Sequence, residues 1–228
     1  MEATLLEHLA ELRRRILICL GAVLLTGIFS YLSINKILDF LARPVPRLFF
    51  VKPTEAFLTQ IKLSLFCGLF FASPVILYQV WQFISPGLVK SERRYALWLV
   101  PASLFLFLGG VAFGFFMVLP VGIRFLLGLG SEKLQPLISV NSYISFVGLL
   151  LLGFGLVFQL PLVIIFLTKL GLITPKWLAS HRRYAILIIF IVAAALTPGP
   201  DIFSQFLMAI PLLILYEVSL WLSRLIKK

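Results

Sequence analysis

Charged side chains are rare in this sequence, and acidic ones are the rarest. Asp, Glu, Lys and Arg together make up 13% of the 228 residues, against about 25% in soluble proteins. Nine acids stand against twenty bases, while apolar residues reach 61%. The apolar residues occur in long runs, several of them near or above the roughly 20 residues that cross a bilayer. A soluble globular domain is therefore excluded, and the sequence predicts an all-α integral membrane protein.

Cysteine and histidine are also scarce, with two of each. Cys19 and Cys67 lie in apolar runs without the spacing of metal ligands, so we expect both to pack as small hydrophobic side chains. No metal site and no cofactor are expected. The net charge of +11 does not indicate nucleic-acid binding, because the bases lie in short connecting loops, where membrane proteins carry them on the cytoplasmic side.

Six apolar runs predict a single membrane domain over residues 1–228. The runs cover about residues 16–34, 57–78, 95–120, 142–170, 184–196 and 202–222. Six spans place both termini on one side, which carries thirteen lysines and arginines against six on the other. This asymmetry predicts cytoplasmic termini. The fifth run has only 13 residues, about 20 Å of helix, so the last pair of spans is predicted to be short.

Residues 73–94 join two apolar runs through aromatic residues, a turn and a charge cluster. The aromatic residues, of the kind that settle at a membrane–water boundary, are Tyr78, Trp81 and Phe83. Pro86 and Gly87 predict a turn, and Glu92 follows at the start of the next helix, among bases. This combination is typical of a docking site at a membrane surface.

Three polar side chains lie within or near the apolar runs, where such groups are costly and function is the default interpretation. They are Lys62, Gln159 and Glu217. Lys62 is close to the start of its run, so its ammonium group can also extend to the membrane surface. For Glu217 a structural and a functional interpretation both stay open.

Several motifs together resemble a known family. In chain order they are residues 8–15 (HLAELRRR), 73–81 (SPVILYQVW), 91–94 (SERR), 201–205 (DIFSQ) and 209–211 (AIP). Each is weak alone, but the series resembles the TatC family, whose members are the core receptor subunit of the twin-arginine protein translocase. The resemblance covers essentially the whole chain, in the same order and with the same number of spans.

The resemblance implies a glove-shaped bundle of six spans in the cell inner (cytoplasmic) membrane, without catalytic activity. It implies binding of the twin-arginine signal peptides of folded cargo and assembly with small single-span subunits of the TatA and TatB type. It further implies a multimeric complex and transport driven by the protonmotive force. In the family, acids matching Glu11 and Glu92 contact the signal peptide, and the aromatic residue matching Phe83 belongs to the same patch. Positions matching Thr197 and Gln205 lie where partner spans dock.

Two positions depart from the family pattern. Gln159 stands where many members carry a glutamate, so a role that needs a buried carboxylate is not expected there, although the amide can still hydrogen-bond a partner span. Gly199 stands between two prolines, where the family often has Pro-Pro-Asp. Contacts at the turn before the last span are therefore expected to shift.

An arginine pair on a peptide needs carboxylates, because the planar guanidinium fork bonds both oxygens of a carboxylate and lysine cannot copy this. Two such pairs contribute roughly 3–6 kcal/mol, whereas micromolar binding needs about 8 kcal/mol. The apolar side chains expected to supply the rest are Phe83, Trp81 and Leu9. A structural interpretation stays open for both acids, since Glu11 could pair with Arg15 and Glu92 could face the start of the third span. Arginines 13 to 15 repel an incoming arginine pair and are interpreted as topology anchors.

Two other functions could be considered for a membrane protein with six spans. A small-molecule secondary transporter or channel needs charges that face a central cavity, and only Lys62 and Glu217 qualify, both near the ends of their spans. An intramembrane protease needs a serine or paired aspartates within the membrane, and no G-x-S-x-G motif occurs. Neither alternative is favoured.

Overall fold

The computed structural model describes residues 5–45, 47–50, 52–84, 90–128, 137–196 and 202–226, which are almost wholly helical. The helices are α1 (Leu5–Leu32), α2 (Ile34–Ala42), α3 (Pro53–Ile84), α4 (Lys90–Phe113), α5 (Leu119–Gly128), α6 (Val140–Val157), α7 (Leu160–Lys169), α8 (Pro175–Ser180), α9 (Arg182–Leu196) and α10 (Ile202–Ile226). Within these described ranges the only β-type pairing is an isolated parallel bridge between Phe49 and Ser139.

Five helical segments are long and apolar enough to cross a membrane. They are Glu7–Leu32, Pro53–Ile84, Leu99–Phe125, Val140–Lys169 and Gln205–Leu225. The remaining predicted span, the fifth in chain order, is α9, whose 15 residues give about 22 Å of helix, less than a hydrocarbon core of about 30 Å. The all-α membrane fold and its short fifth span are thus confirmed. The last helix, α10, has 25 residues and continues four residues beyond the predicted end of its span.

The second span ends later than predicted. We expected it to stop near Tyr78 and a loop to follow, but α3 continues to Ile84, and α4 begins at Lys90. The extra residues include Trp81 and Phe83, whose side chains tolerate the membrane boundary, and no helix breaker occurs before Pro86. The predicted turn at Pro86 and Gly87 lies outside the described residues.

Two of the apolar runs are interrupted within the membrane segment. A π-helical turn, Gly114–Val118, separates α4 from α5. Phe158 and Gln159 form a turn between α6 and α7, just before Pro161, which lacks a backbone N–H and clashes with the preceding helical turn. The prolines that lie inside continuous helices are Pro74, Pro101 and Pro211. A membrane helix tolerates them because neighbouring groups satisfy the freed carbonyls.

The chain divides into two compact units. Unit 1 consists of Met1–Arg43 and Phe50–Phe105, and unit 2 consists of Pro44–Phe49 and Leu106–Lys228. Unit 1 therefore contains α1 to α3 and the first part of α4, and unit 2 contains the remaining helices. The single domain expected from the sequence stays a prediction.

In unit 1, α1 and α3 approach closely at small residues. The Thr26 hydroxyl donates a hydrogen bond to the Gly68 carbonyl oxygen at 2.8 Å, and the Ser64 hydroxyl donates to the Gly27 carbonyl oxygen at 2.7 Å. A Cβ atom at Gly68 would lie 2.7 Å from the Val23 carbonyl oxygen. Because lipid supplies no hydrophobic force between helices, close packing and hydroxyl–carbonyl bonds hold this pair together.

In unit 2, α10 packs against α7, α8 and α9. The side chains that are fully buried include Leu119, Leu150, Phe154, Leu212 and Leu220. Gly155 leaves space for a ring, since an added Cβ atom would lie 2.6 Å from Phe107. The Tyr216 hydroxyl donates to the Leu178 carbonyl oxygen at 2.8 Å and ties α10 to α8.

Replacing Gly68 with alanine is expected to destabilise the protein by about 1–3 kcal/mol, the usual cost of overpacking. The atoms facing the new methyl group belong to the backbone of α1 and cannot move aside like a flexible side chain. Thermal unfolding of the purified protein in detergent, followed by intrinsic fluorescence, measures the change.

The matched control is Gly21→Ala, because nothing lies within 4 Å of a Cβ atom at that position of α1. This control should unfold at the same or a slightly higher temperature than the parent, since alanine favours a helix over glycine. Equal unfolding temperatures for the two variants would contradict the close approach of α1 and α3.

Candidate functional site

Four polar side chains of unit 1 meet between the beginning of α1 and the end of α3. Arg15 donates from Nη1 to Gln79 Oε1 at 2.9 Å and to Gln82 Oε1 at 3.0 Å. It also donates from Nε to Glu11 Oε1 at 3.1 Å, and from Nη2 to the same oxygen. We call Glu11, Arg15, Gln79 and Gln82 the Arg15 junction.

Helical spacing explains how each half of the Arg15 junction forms. Glu11 and Arg15 are four residues apart on α1, and Gln79 and Gln82 are three residues apart on α3, so each pair lies on one face of its helix. The Glu11–Arg15 pair, which the sequence left open as a structural interpretation, is present. The interpretation of Arg15 as a topology anchor stays a prediction, and its guanidinium also bonds Gln79 and Gln82 on α3, which we did not expect.

The two charges of the Arg15 junction differ in exposure and in how they are bonded. The Arg15 side chain is 13% exposed, whereas that of Glu11 is 33% exposed. Both bonds from Arg15 end on Glu11 Oε1, and within the described residues Oε2 receives no hydrogen bond from another side chain. Glu11 therefore presents one bonded and one open carboxylate oxygen.

An aromatic contact lies beside the junction. The rings of His8 on α1 and Phe83 on α3 stack with their centroids 4.5 Å apart and their planes 28° apart. Leu9 is exposed, at 57% of its surface. Phe83 follows Gln82 directly on α3, and Leu9 is two residues before Glu11 on α1.

Trp81 has a different environment from Phe83 and Leu9. Only 5% of its surface is exposed, although we predicted that it contacts a peptide. The burial supports a packing role behind the surface, and direct contact with a peptide stays a prediction.

Glu92 lies in the first turn of α4, which begins at Lys90. Its backbone is where the sequence predicted it, but its side chain lies outside the described residues. The two-carboxylate arrangement of Glu11 and Glu92 therefore stays a prediction.

Two of the three polar residues of unit 2 that we expected to meet partners, Gln205 and Gln159, have hydrogen-bonding neighbours inside the unit. Gln205 Nε2 donates to the Phe190 carbonyl oxygen on α9 at 3.1 Å. Gln159 lies in the turn before α7, where its Nε2 donates to the Gly155 carbonyl oxygen at 3.4 Å. Thr197 lies outside the described residues. These contacts show that Gln205 joins α10 to α9, while the Gln159 amide bonds the end of α6.

The two charged side chains that the sequence analysis singled out within or near the apolar runs, Glu217 and Lys62, both have interactions inside the protein. Glu217 on α10 accepts a hydrogen bond from Arg182 Nη2 on α9 at 2.9 Å, with about half of each side chain exposed. This ion pair supports the structural interpretation of Glu217. Lys62 on α3 is half-buried and takes part in an interaction. Among the described residues, no group of three or more His, Cys, Asp or Glu side chains is placed to hold a metal ion.

Sequence reasoning missed Gln79 and Gln82 as parts of the site. Two amides three residues apart at the end of an apolar run are a usable signal, since polar groups there seek a hydrogen-bonding partner. The identity of that partner was not available locally, because Arg15 is 64 residues before Gln79.

Comparisons with known proteins agree with one another. A family model described as "Sec-independent protein translocase protein (TatC)" matches residues 7–211. The Sec-independent protein translocase protein TatC of Carboxydothermus hydrogenoformans is 45% identical over 228 residues, covering 98% of this chain and 94% of the relative. The TatC protein of Aquifex aeolicus is 43% identical over 229 residues, covering 97% and 95%. The TatCd protein of Bacillus subtilis is 39% identical over 228 residues, covering 100% and 94%.

The fold agrees as well. A crystal structure of a twin-arginine translocase receptor, TatC, matches with a TM-score of 0.89 and 43% sequence identity, over 97% of this chain and 100% of that chain. The sequence motifs, the helices and the relatives therefore converge, and this chain belongs to the TatC family of Sec-independent protein translocase proteins.

Proposed function

We propose that this chain is the receptor and core subunit of a twin-arginine translocase. It binds the twin-arginine signal peptides of folded cargo and assembles with small single-span subunits into a complex driven by the protonmotive force. The observation that carries the proposal is the Glu11 carboxylate, held by the Arg15 junction with one oxygen open. Membership of the TatC family says which kind of ligand to test at that oxygen.

The chemistry of the open oxygen supports a cationic ligand. A guanidinium group donates hydrogen bonds in a fixed plane, and a carboxylate oxygen is its natural acceptor. At 33% exposure, the Glu11 side chain is accessible yet partly shielded from water, which strengthens a charged hydrogen bond relative to a fully exposed one. Glu11 therefore serves as the acceptor for one cargo arginine.

Glu92 is proposed as the second acceptor. It lies in the first turn of α4, and α4 is the next described helix after α3, whose end carries Phe83 and the two glutamines of the junction. An acid in a first turn is also favourable for the helix dipole, so a structural benefit accompanies the proposed role. One carboxylate on α1 and one on α4 would divide the two cargo arginines between two helices.

Apolar side chains near the junction are proposed to hold the hydrophobic part of the signal peptide. Leu9 is 57% exposed, and Phe83 is partly exposed and fixed by its stack on His8. A fixed ring loses little conformational freedom on binding, which favours affinity. Trp81 supports this surface from beneath, in keeping with its burial.

The proposed orientation places both termini in the cytoplasm and the chain in the cell inner membrane. Support comes from the excess of lysine and arginine on the side of the termini, thirteen against six, which follows the positive-inside rule. The junction, near the beginning of α1, then faces the compartment in which folded cargo is made.

Partner docking is proposed on unit 2, around Gln205, Thr197 and Gln159. Gln205 uses its amide nitrogen inside the unit, so its carbonyl oxygen is the group proposed to accept a hydrogen bond from a partner span. Neighbouring apolar side chains are exposed, among them Ile191 at 59% and Phe206 at 49%. A polar group within such a surface gives a single-span partner a fixed position.

Replacing Glu11 with glutamine should reduce photocrosslinking of a twin-arginine signal peptide to the full chain at least about tenfold, because a charged hydrogen bond is lost. The peptide carries its photoreactive group beside the arginine pair, and the adduct is measured in membranes that contain the partner subunits. A peptide with Lys-Lys in place of Arg-Arg should crosslink as weakly to the parent.

The control for this experiment is Glu7→Gln, which removes the same charge one turn earlier on α1 and should leave the adduct unchanged. An adduct that persists in Glu11→Gln, or that does not distinguish Arg-Arg from Lys-Lys, would contradict the proposed receptor.

Replacing Gln205 with leucine should weaken co-purification of the small partner subunits by about threefold to thirtyfold, the range for one hydrogen bond within a membrane. Ser145→Ala is the control, since that hydroxyl bonds within its own helix, to the Asn141 carbonyl oxygen at 2.7 Å. Thermal unfolding of both variants separates a lost partner contact from a lost bond to α9. Unchanged partner recovery in Gln205→Leu would contradict docking at this residue.

A further inference from the structure

Arg15 lies against Glu11 but has no part of its own in the proposed function. It places a positive charge directly against the carboxylate that is proposed to attract a positively charged peptide. Simple repulsion would make this arrangement unfavourable for binding. The bonding of the four side chains suggests a benefit of Arg15 that offsets this repulsion. The inference rests on the proposed function of Glu11.

The bonds of Arg15 are unevenly distributed over the Glu11 carboxylate. Nε and Nη2 both donate to Oε1, although the usual fork between arginine and a carboxylate uses both oxygens. The remaining donor group, Nη1, is used on Gln79 and Gln82. Arg15 thus holds Glu11 by one oxygen only, and its position is itself fixed by α3.

Two mechanisms are compatible with a guanidinium already at the site. In an exchange mechanism, the cargo arginine displaces Arg15 and takes both oxygens of Glu11. In a positioning mechanism, Arg15 stays in place and the cargo arginine binds Oε2. The two mechanisms predict opposite effects of removing Arg15, because it competes with cargo in the first and supports cargo binding in the second.

The bonding and burial favour the positioning mechanism. Exchange would break the contacts of Arg15 with Glu11 and would leave a guanidinium that is only 13% exposed bonded to two neutral amides, without a counter-ion. Leaving one member of a buried charged pair unpartnered is strongly unfavourable. Binding at Oε2 breaks none of these bonds.

We propose that Arg15 is a positioning residue that aims the open oxygen of Glu11 at the cargo guanidinium and sets the preference for arginine over lysine. Because Arg15 already neutralises Glu11, the site has little net charge with which to attract an arbitrary cation. Binding then depends on the direction of a hydrogen bond to Oε2. A planar guanidinium with five donors satisfies this condition better than the compact, strongly hydrated ammonium of lysine.

Gln79 and Gln82 fix the position of Arg15 by accepting its hydrogen bonds. Gln79 is buried and Gln82 is exposed, so Arg15 is held from an inner and an outer position on α3. Through Arg15, the orientation of Glu11 on α1 is tied to the end of α3, where Phe83 stacks on His8. The acceptor for the arginine and the proposed apolar contact are therefore kept at a fixed separation.

The test measures the affinities of an Arg-Arg and a Lys-Lys signal peptide for the full chain in membranes with its partner subunits. In Arg15→Gln, the Arg-Arg peptide should bind about fivefold to tenfold more weakly, as expected when a charge-assisted hydrogen bond loses its geometry. The Lys-Lys peptide should bind as well as before or better, because the unpaired Glu11 now attracts any cation. The ratio of the two affinities should therefore fall.

Arg14→Gln is the matched control, since it removes the same charge from the neighbouring residue. Arg14 is exposed, and in the described part of the chain it makes no hydrogen bond or ion pair. This variant should keep the parental ratio of affinities. Arg15→Lys should keep the positive charge but should not keep the parental ratio of Arg-Arg to Lys-Lys affinity, because an ammonium group cannot bond Glu11 and both glutamines in one plane.

Gln82→Leu is a second variant that leaves Arg15 and Glu11 in the chain and removes one exposed acceptor. It should lower the ratio of affinities by a smaller factor than Arg15→Gln does. If Arg15→Gln does not assemble, this variant tests the positioning role of Arg15. An unchanged ratio in Gln82→Leu would then overturn the inference.

The outcomes separate this inference from the proposed function. Arg-Arg binding that is unchanged or tighter in Arg15→Gln, but weaker in Glu11→Gln, overturns the positioning role and leaves the receptor in place. Arg-Arg binding that is unchanged in both variants overturns the receptor itself.

Discussion

A single guanidinium group shared by one carboxylate and two amides joins the beginning of α1 to the end of α3. Arg15 reaches Gln79 and Gln82 at 2.9 and 3.0 Å while it holds Glu11 on its own helix. The stack of His8 on Phe83 depends on the same alignment of the two helices. Further along the pair, the contact at Gly68 sets how closely they approach. The junction at one end and the glycine crossing in the middle leave little freedom in the relative position of α1 and α3.

A polar junction at this place has a physical rationale. Apolar side chains at the edge of a membrane can slide past one another at small cost, because each finds lipid or another apolar group in any register. A guanidinium that must satisfy three acceptors has far fewer good positions, and a partly satisfied network costs more than none. Polar bonds therefore specify the register of α1 on α3, whereas close packing supplies most of the attraction between them.

The sequence predicted the helices better than their contacts. Apolar runs of about 20 residues located the five long membrane segments and a 13-residue run located α9, because length and hydropathy are local properties. The end of α3 was placed six residues too early, since aromatic residues were taken as the start of a loop although nothing there breaks a helix before Pro86. Within the site, the Glu11–Arg15 pair followed from spacing along one helix. The bonds from Arg15 to Gln79 and Gln82, and the burial of Trp81, depend on which faces of α1 and α3 meet, and no local pattern contains that information.

The geometry of Glu11 also limits what the carboxylate can contribute to recognition. With one oxygen already bonded to Arg15, a cargo arginine at the proposed site would gain a single charged hydrogen bond, about 1.5–3 kcal/mol, while micromolar binding needs about 8 kcal/mol. Even two such acceptors fall short of that figure, so in the proposed receptor the carboxylates would account for selectivity and the apolar side chains of Leu9 and Phe83 for most of the affinity. A receptor for many cargoes benefits from this division. Under the two proposals, signal peptides that differ in their apolar segment would bind with different strengths, while each would still have to present a guanidinium group in the direction that Arg15 imposes on Glu11.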